Sequence, residues 1–320
     1  MNSIEELRLM TKVARMYYDS GMRQNDIAAT LGLSQATVSR VLSNARQAGV
    51  VRINVSIPPG VNAELEENLA RKYRLRDAIV VDCDDNADEA LLQRQIGAAA
   101  AYYVETTVRS NDVVGISSWS GTLLALVDAM HPTPGRSGIQ VVQILGGVGS
   151  PSAEVHANRL TGRFASLVNG EAHFLPVPGI VGSPEVLKVL REDQYVQEAL
   201  ALFDRITLAL VGIGDVEPSK LLTLSGNVFS LEEQEQIRRM GAVGDILLRF
   251  YDAHGRPLSG PLSGRVASMS LEQLSRVERA VAVAGGERKY GAILGALRGH
   301  YINILITDRC TAERLAEEPA

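Results

Sequence analysis

Cysteine is scarce in this 320-residue chain: Cys83 and Cys310 are the only two, and neither belongs to a Cys-x-x-Cys motif or lies beside a histidine. This spacing predicts neither a disulfide framework nor a zinc site. Apolar runs are short as well, because none approaches the roughly 20 residues that are needed to cross a bilayer. The first ten residues carry Glu5 and Glu6 where a signal peptide would have a basic and then an apolar stretch. We therefore expect a cytoplasmic protein with reduced cysteines and no membrane partner.

The composition has no strong bias. Hydrophobic residues make up 46% and charged residues 22% of the chain, which is close to the average of globular proteins and excludes the collagen-like, disordered and coiled-coil classes. At roughly 100–200 residues per domain, the length predicts two domains, or one large domain with an appendage.

Charge is distributed unevenly. The net charge is −5, but residues 1–57 contain seven basic and four acidic residues, a net charge of +3, which leaves −8 for the remainder. No acidic residue lies between Asp26 and Glu64. Because acidic groups near phosphates cost Coulomb energy, a short basic segment on an acidic body is typical of a DNA-binding head.

The basic segment has the pattern of three helices. A second predicted helix, about 24–31, ends at Gly32, and Ser34 is placed as the N-cap of a third, roughly 35–48. Residues 50–57 alternate apolar and polar side chains, which predicts a strand and hence a wing. The first helix, about 4–20, is predicted from one apolar face, formed by Leu7, Met10, Ala14 and Tyr17.

The outward face of the third helix is small, polar and cationic, because the core face is expected to take Val38, Val41, Leu42 and Ala45. Such a face suits the major groove, where Gln pairs with adenine and Arg with guanine. We assign Gln35, Ala36 and Arg40 to base edges. Phosphate contacts are assigned to Ser34, Thr37, Ser39, Asn44, Arg46 and, on the wing, Arg52.

Helical spacing alone leaves two partners open, since many three-helix segments bind protein rather than DNA. Residues 25–51, NDIAATLGLSQATVSRVLSNARQAGVV, closely resemble the heads of bacterial transcription regulators. The resemblance lies in the Ile-Ala pair, the Leu-Gly-Leu-Ser turn and the Val-Ser-Arg-Val-Leu helix. It favours double-stranded DNA and a winged helix-turn-helix.

Helical and strand patterns alternate from residue 62 onwards. Repeated strand–helix units predict an α/β fold with a doubly wound, mainly parallel sheet that binds ligands at the carboxyl ends of its strands. The predicted organisation is a head at 1–57, a linker at 58–61 and a body at 62–320. The predicted strands lie near 78–82, 113–116, 140–145, 172–175, 206–211, 242–250, 277–284 and 302–307.

Glycine stands at several predicted strand ends, where it lets backbone N–H groups approach an anion. These glycines are Gly115, Gly146, Gly147, Gly212, Gly214, Gly285 and Gly286. Hydroxyl residues follow one turn and Lys289 follows another; hydroxyls, amides and an ammonium together suit a phosphate. A single turn of this kind also occurs without any ligand.

Asp245 is unusual because it lies in an otherwise apolar stretch, where a buried carboxylate is costly unless it is paired or used. A structural ion pair with a nearby Arg or Lys and hydrogen bonds to sugar hydroxyls are both open explanations.

Familiar catalytic motifs are incomplete. Gly212-Ile213-Gly214 lacks the third glycine of a dinucleotide fingerprint, residues 286–290 lack the spacing of a P-loop, and residues 115–119 lack the second glycine of a hydrolase elbow. The five histidines show no metal-ligand spacing. We therefore expect no cofactor, no metal and no enzymatic activity.

Several longer segments resemble the SorC family of sugar-binding transcriptional regulators, from about Leu7 to Leu315. The resemblance implies a DeoR-like head and a sugar-phosphate isomerase-like domain for effector binding and oligomerisation. It also implies a phosphorylated sugar or polyol as effector, a dimer or tetramer, and allosteric control, as by a repressor, of a carbohydrate operon. The segments are GAVGDILLRFYDAHGRPL, VAGGERKYGAILGALRGHYINILITDRCTAERL, VGISSWSGTL, VVQILGGVG, LPVPGIV and LVGIG.

Carried over by motif, Asp245 is expected to hold ligand hydroxyls and Lys289 to pair with phosphate. The hydroxyl-rich SSWSGT loop departs from many members, and Leu145 before Gly146 excludes a covalent lysine–aldehyde adduct there. An isomerase-type enzyme with a fused head is the alternative, disfavoured because no second carboxylate or histidine accompanies Asp245 in these motifs. The full effector set is Ser117, Ser118, Ser120, Gly121, Thr122, Gly146, Gly147, Gly212, Gly214, Asp245 and Lys289.

Overall fold

The computed structural model describes residues 4–51, 61–82, 88–148, 151–218, 220–225 and 230–319. The chain divides into two units, Met1–Pro58 and Pro59–Ala320. Most of the predicted wing strand, including Arg52, and most of the predicted linker lie outside the described residues. The finer domain boundaries therefore stay predictions.

The described residues of the first unit form three α-helices around a small apolar core. Gly32, with φ of 66°, ends the second helix, and the Ser34 Oγ accepts the Thr37 N–H at 3.1 Å as the N-cap of the third. The core includes Val38 and Leu42, as predicted. The helices are α1 (Ile4–Ala14), α2 (Gln24–Leu31) and α3 (Gln35–Gln47), and a π-helical turn, Arg15–Asp19, follows α1.

The predicted apolar face of α1 is wrong at one residue, Leu7. The Leu7 side chain is 37% exposed, whereas Met10, Val13 and Ala14 are buried. Because α1 packs against α3, the buried face is centred on Val13 rather than on Leu7. Tyr17 is half-buried in the π-helical turn.

The second unit is built on one large sheet and a separate two-stranded hairpin. Its first half contains α4 (Ala63–Tyr73), β1 (Asp77–Val81), α5 (Glu89–Thr107), β2 (Val113–Ile116), α6 (Gly121–Ala129), β3 (Gln140–Gln143), α7 (Pro151–Leu167), β4 (Glu171–His173), α8 (Pro184–Leu190) and α9 (Gln194–Ala201). Its second half contains β5 (Leu208–Val211), α10 (Lys220–Ser225), α11 (Leu231–Arg239), β6 (Ala242–Ile246), β7 (Arg249–Asp252), α12 (Leu271–Ser275), β8 (Arg279–Val283), α13 (Tyr290–Arg298), β9 (Ile304–Asp308) and α14 (Arg309–Glu317).

The large sheet has seven parallel strands in the order β1-β9-β8-β5-β2-β3-β4. The central strands β2 and β5 are buried along their whole length, as expected for a sheet covered on both faces. This arrangement confirms the predicted α/β, doubly wound, mainly parallel fold. Chain order reverses between β2 and β5, and such a switch point leaves a crevice at the carboxyl ends of the strands.

Residues 242–250 do not form the single strand that was predicted. They form the antiparallel hairpin β6–β7, which turns at Leu247 and Leu248 with φ of 57° and 61°. Leucine in this left-handed conformation is unfavourable by roughly 1–2 kcal/mol per residue, so the sequence carries no turn signal there. The Leu248 N–H donates to the Asp245 carboxylate at 2.8 Å, which stabilises the turn. The bounds of the other strands differ from the prediction by up to two residues at either end.

Among the described residues, no helix is long and apolar enough to cross a membrane. The same residues contain no group of three or more His, Cys, Asp and Glu side chains that could hold a metal ion.

Candidate functional site

The outward face of α3 is open. Val38, Leu42 and Ala45 turn inward, and Thr37 is half-buried beside the N-cap. Arg40 and Arg46 make no ion pair with any other described residue, so both cations are free to meet phosphates or base edges. The other residues assigned to DNA, all exposed, are Ser34, Gln35, Ala36, Ser39 and Asn44. Their contacts with DNA stay a prediction.

A cavity of about 410 Å³ opens where the sheet order reverses. It lies at the carboxyl ends of β2 and β5, and the N-terminus of α6, the β6–β7 hairpin and the segment before α13 complete it. Eight of the eleven predicted effector residues line it: Ser117, Ser120, Gly121, Thr122, Gly212, Gly214, Asp245 and Lys289. We call this the switch-point cavity.

The other three predicted effector residues do not line the switch-point cavity. The Ser118 hydroxyl donates to the Leu145 carbonyl at 2.7 Å. A Cβ on Gly146 would overlap the backbone of Val177 and Pro178. A Cβ on Gly147 would meet the side chain of Gln143. In this structure the three residues pack the loops behind the cavity.

Helix α6 presents its N-terminus to the cavity. Ser120 is its N-cap, and the Ser120 hydroxyl accepts the Leu123 N–H at 3.3 Å. The first N–H groups of a helix have no partner within the helix, and the helix dipole favours an anion there. A Cβ on Gly212 would lie 2.6 Å from the Ser120 Oγ, so only glycine allows the two loops to approach this closely.

Asp245 is recessed in the cavity wall. Burial raises its pKa to about 6, against the lowering effects of the Leu248 N–H and Lys289. The backbones of Asp245 and Gly214 exchange two hydrogen bonds of 3.0 Å, and a Cβ on Gly214 would overlap the Asp245 Oδ1. Neither Arg nor Lys pairs with Asp245 within 4.0 Å in the described chain. The ion-pair explanation of this residue therefore finds no support, and its carboxylate is available to a ligand.

Lys289 supplies a cation to the same cavity. Burial lowers the pKa of its ammonium, and Glu89 opposes this shift. No described side chain forms a hydrogen bond or an ion pair with this ammonium. Glu89, Asp215 and Asp245 act on this ammonium electrostatically, but no carboxylate of the described residues lies within ion-pair distance of it.

An ion pair that the sequence does not reveal lies beside Lys289. The Arg288 Nε lies 2.7 Å from the Asp215 Oδ2, and the Arg288 Nη2 lies 3.7 Å from the Glu89 Oε1. All three residues line the cavity. The position of Asp215 at a strand end could be predicted from the sequence, because it directly follows Gly214. Its ion pair with Arg288 could not be predicted.

The segment that carries Lys289 is held by Asp308. The Gly286 N–H donates to the Asp308 Oδ2 at 2.7 Å and to the Thr311 Oγ1 at 3.1 Å. Asp308 is only 2% exposed and is the N-cap of α14. Gly286 has φ of 93°, a conformation that disfavours other residues. This buried carboxylate therefore fixes the direction in which the chain approaches Lys289.

Three carboxylates outside the motif segments line the same cavity as Asp245: Glu89, Asp215 and Glu217. They were missed because α5, the chain after β5 and the β6–β7 hairpin come together only in the folded chain. The apolar part of the wall was also missed and comprises Trp119, Ile213, Leu222, Leu247, Leu248 and Phe250. The cavity therefore combines amides, hydroxyls, an ammonium and a guanidinium with four carboxylates and an apolar surface.

Residues 58–317 match the family described as "Putative sugar-binding domain". The chain is 31% identical to the sorbitol operon regulator of Klebsiella pneumoniae over 319 residues, which cover 98% of this chain and 99% of that relative. It is 32% identical to the deoxyribonucleoside regulator of Bacillus subtilis over 314 residues, with coverage of 98% and 99%. The crystal structure of full-length SorC from Klebsiella pneumoniae matches with a TM-score of 0.74 at 31% identity, covering 99% of this chain and 100% of that chain. These relatives are named as regulators, not as enzymes.

Proposed function

The chain belongs to the family of sugar-binding transcriptional regulators that includes SorC, and we propose that it is a DNA-binding regulator of a carbohydrate-metabolism operon that a phosphorylated sugar or polyol controls. The family resemblance inferred from the motifs is confirmed, and with it the expectation that the chain is not an enzyme. To the family assignment, the proposal adds the contacts with DNA, the phosphate on the effector and the oligomer.

The observation that carries the effector proposal is the ammonium of Lys289, which pairs directly with no described side chain of the switch-point cavity, together with the N-terminus of α6. A phosphate needs both a cation and several hydrogen-bond donors. Thr122 and Ser117 supply hydroxyl groups in the same wall. Asp245 accepts hydrogen bonds and is therefore suited to the hydroxyls of a sugar or polyol.

The DNA proposal rests on the exposed face of α3. Small residues allow the helix to approach the base edges, and Gln35 and Arg40 carry the side chains that read adenine and guanine. An oligomer would place two heads on successive major grooves of a pseudo-palindromic operator. Effector binding in the body would then change operator affinity by the roughly 5–150-fold that is typical of allosteric coupling.

The test is fluorescence anisotropy of the full chain on DNA from upstream of its own gene cluster. The titration is repeated with a panel of sugar and polyol phosphates and with their unphosphorylated counterparts. We expect one phosphorylated compound to change the operator affinity at least fivefold and its unphosphorylated counterpart to have no effect.

Lys289→Gln is expected to abolish this response and to leave operator affinity in the absence of ligand unchanged. Lys188→Gln, which removes an exposed lysine of α8, is the matched control and should respond like the wild type. An equal response to the unphosphorylated counterpart, or a full response in Lys289→Gln, would refute the phosphate assignment. Failure to bind the upstream DNA more tightly than random DNA would refute the DNA assignment.

A further inference from the structure

A second cavity, of about 280 Å³, lies next to the switch-point cavity. The two cavities share Leu248 and Phe250 in their walls. The remaining wall of the second cavity is mainly apolar, with Ile237 and Met240 from α11 and the chain after it. It also includes three serines, Ser259, Ser263 and Ser270. A cavity of this size is large enough for a small organic molecule.

Arg249 is the one basic residue in the lining of this second cavity. Its Nε donates to the Ser268 Oγ at 3.0 Å, and its Nη2 donates to the carbonyls of Val266 and Ser268 at 3.1 and 3.2 Å. For Nη1, the described part of the chain offers no hydrogen-bond partner, and no carboxylate there lies within 4.0 Å of the guanidinium. Arginine stays protonated in proteins. Arg249 is therefore a half-buried cation whose charge no described carboxylate neutralises.

A second cation, Arg191, acts on Arg249. Burial lowers the pKa of Arg249, and the positive charge of Arg191 lowers it further. The acidic residue of the lining, Glu272 of α12, is exposed and pairs with Arg276, the C-cap of that helix. An anionic head group would therefore be attracted to Arg249, and an apolar body would be covered by the aliphatic side chains around it.

We propose that this second cavity is a ligand site for a small aliphatic carboxylate, held by Arg249 through its carboxylate and by the apolar wall through its carbon chain. The site is separate from the switch-point cavity and does not depend on the function proposed for the latter. Its single cation and apolar wall fit a monoanion with few hydroxyls, in contrast to the polar wall around Lys289.

The test uses hexanoate as the probe and the full chain labelled with ¹³C at its methionine methyl groups. Met240 lines the second cavity, whereas Met130 is buried in a different core cluster and serves as the internal reference. We expect hexanoate to shift the Met240 resonance saturably and to leave Met130 unchanged. Hexan-1-ol and hexylamine should bind at least tenfold more weakly, because neither presents an anion to Arg249.

Gly260→Leu locates the site. A Cβ on Gly260 would lie 3.3 Å from the Met240 Sδ and 3.6 Å from its Cε, so a larger side chain is expected to occupy the cavity. Hexanoate affinity should fall at least tenfold, while Lys188→Gln should retain it. Should Gly260→Leu fail to fold, Arg249→Met is expected to give the same loss.

Three results would overturn the site: no saturable Met240 shift with hexanoate, equal binding of hexan-1-ol, or unchanged affinity in folded Gly260→Leu. None of these readouts involves DNA or a sugar phosphate. A failure of the second site can therefore be told apart from a failure of the proposed regulatory function.

Discussion

Replacing Asp245 by asparagine should stabilise the body of the protein at neutral pH. The pKa of Asp245 rises from its ordinary value of 3.8 to about 6 in the folded chain because of burial. Each pKa unit corresponds to about 1.4 kcal/mol, so keeping the carboxylate ionised at pH 7 costs about 3 kcal/mol of folding free energy. This figure is an upper bound, because the carboxylate borders the cavity and because the asparagine amide needs a partner of its own.

The pH dependence follows from the direction of the shift. A carboxyl group with a raised pKa in the folded state makes its full contribution to stability below pH 4, and this contribution is lost as the pH rises through about 6. We therefore expect Asp245→Asn and the wild type to be similarly stable near pH 4. The variant should become more stable, relative to the wild type, between pH 4 and pH 7.

Urea unfolding at several pH values measures this difference. Trp119 is the single tryptophan of the chain and lies in the wall of the switch-point cavity, so its fluorescence reports unfolding of the body. Asp252→Asn, in the same hairpin, is a control whose stability relative to the wild type should fall as the pH rises. The reason is that hydrogen bonds from the Arg256 and His254 N–H groups contribute to lowering the pKa of Asp252. A pH-independent difference, or a loss of stability in Asp245→Asn at pH 7, would refute the reasoning.

Four further variants test other parts of the molecule. Arg40→Ala should cost about 1–3 kcal/mol of operator binding and relax the preference at one base pair. Arg46→Ala should weaken binding to all DNA sequences alike and reduce by about one the slope of log K against log salt concentration. Equal losses on operator and random DNA for both variants would contradict this division. Gly214→Ala should abolish the effector response with operator binding retained, because its Cβ would overlap the Asp245 carboxylate; a normal response in anisotropy would show that the contact is not needed. Arg279→Met should destabilise the body by about 3–5 kcal/mol in urea unfolding, because it leaves the buried Asp112 carboxylate, 2.6 Å from the Arg279 Nη2, without its partner; a loss below 1 kcal/mol would show that the pair contributes little.

Local patterns in the sequence predicted the head well. Helical spacing identified Val38, Leu42 and Ala45 as the buried face of α3, and the short-range chemistry of Gly32 and Ser34 identified the turn and the N-cap. These features depend on residues only a few positions apart. The exposure of Leu7 could not be predicted in the same way, because it depends on how α1 packs against α3.

The switch-point cavity was partly predictable, because parallel strands bring their carboxyl ends to one edge of the sheet. Glycines, hydroxyls and Lys289 at strand ends could be identified from the chain alone. The ion pair between Arg288 and Asp215 joins segments far apart in sequence, and the strand order that brings them together is not written in either segment. The hairpin turn at Leu247 and Leu248 was missed because it is stabilised by the Asp245 carboxylate rather than by turn-forming residues.

The central claim is that occupation of the switch-point cavity and binding of DNA are coupled, and coupling of this kind is reciprocal. The most direct measurement is calorimetric titration of the full chain with the active sugar phosphate, once without DNA and once with saturating operator. The account predicts that operator changes the effector Kd by the same factor, roughly 5–150-fold, by which effector changes the operator Kd. An effector Kd that is identical with and without operator would contradict it.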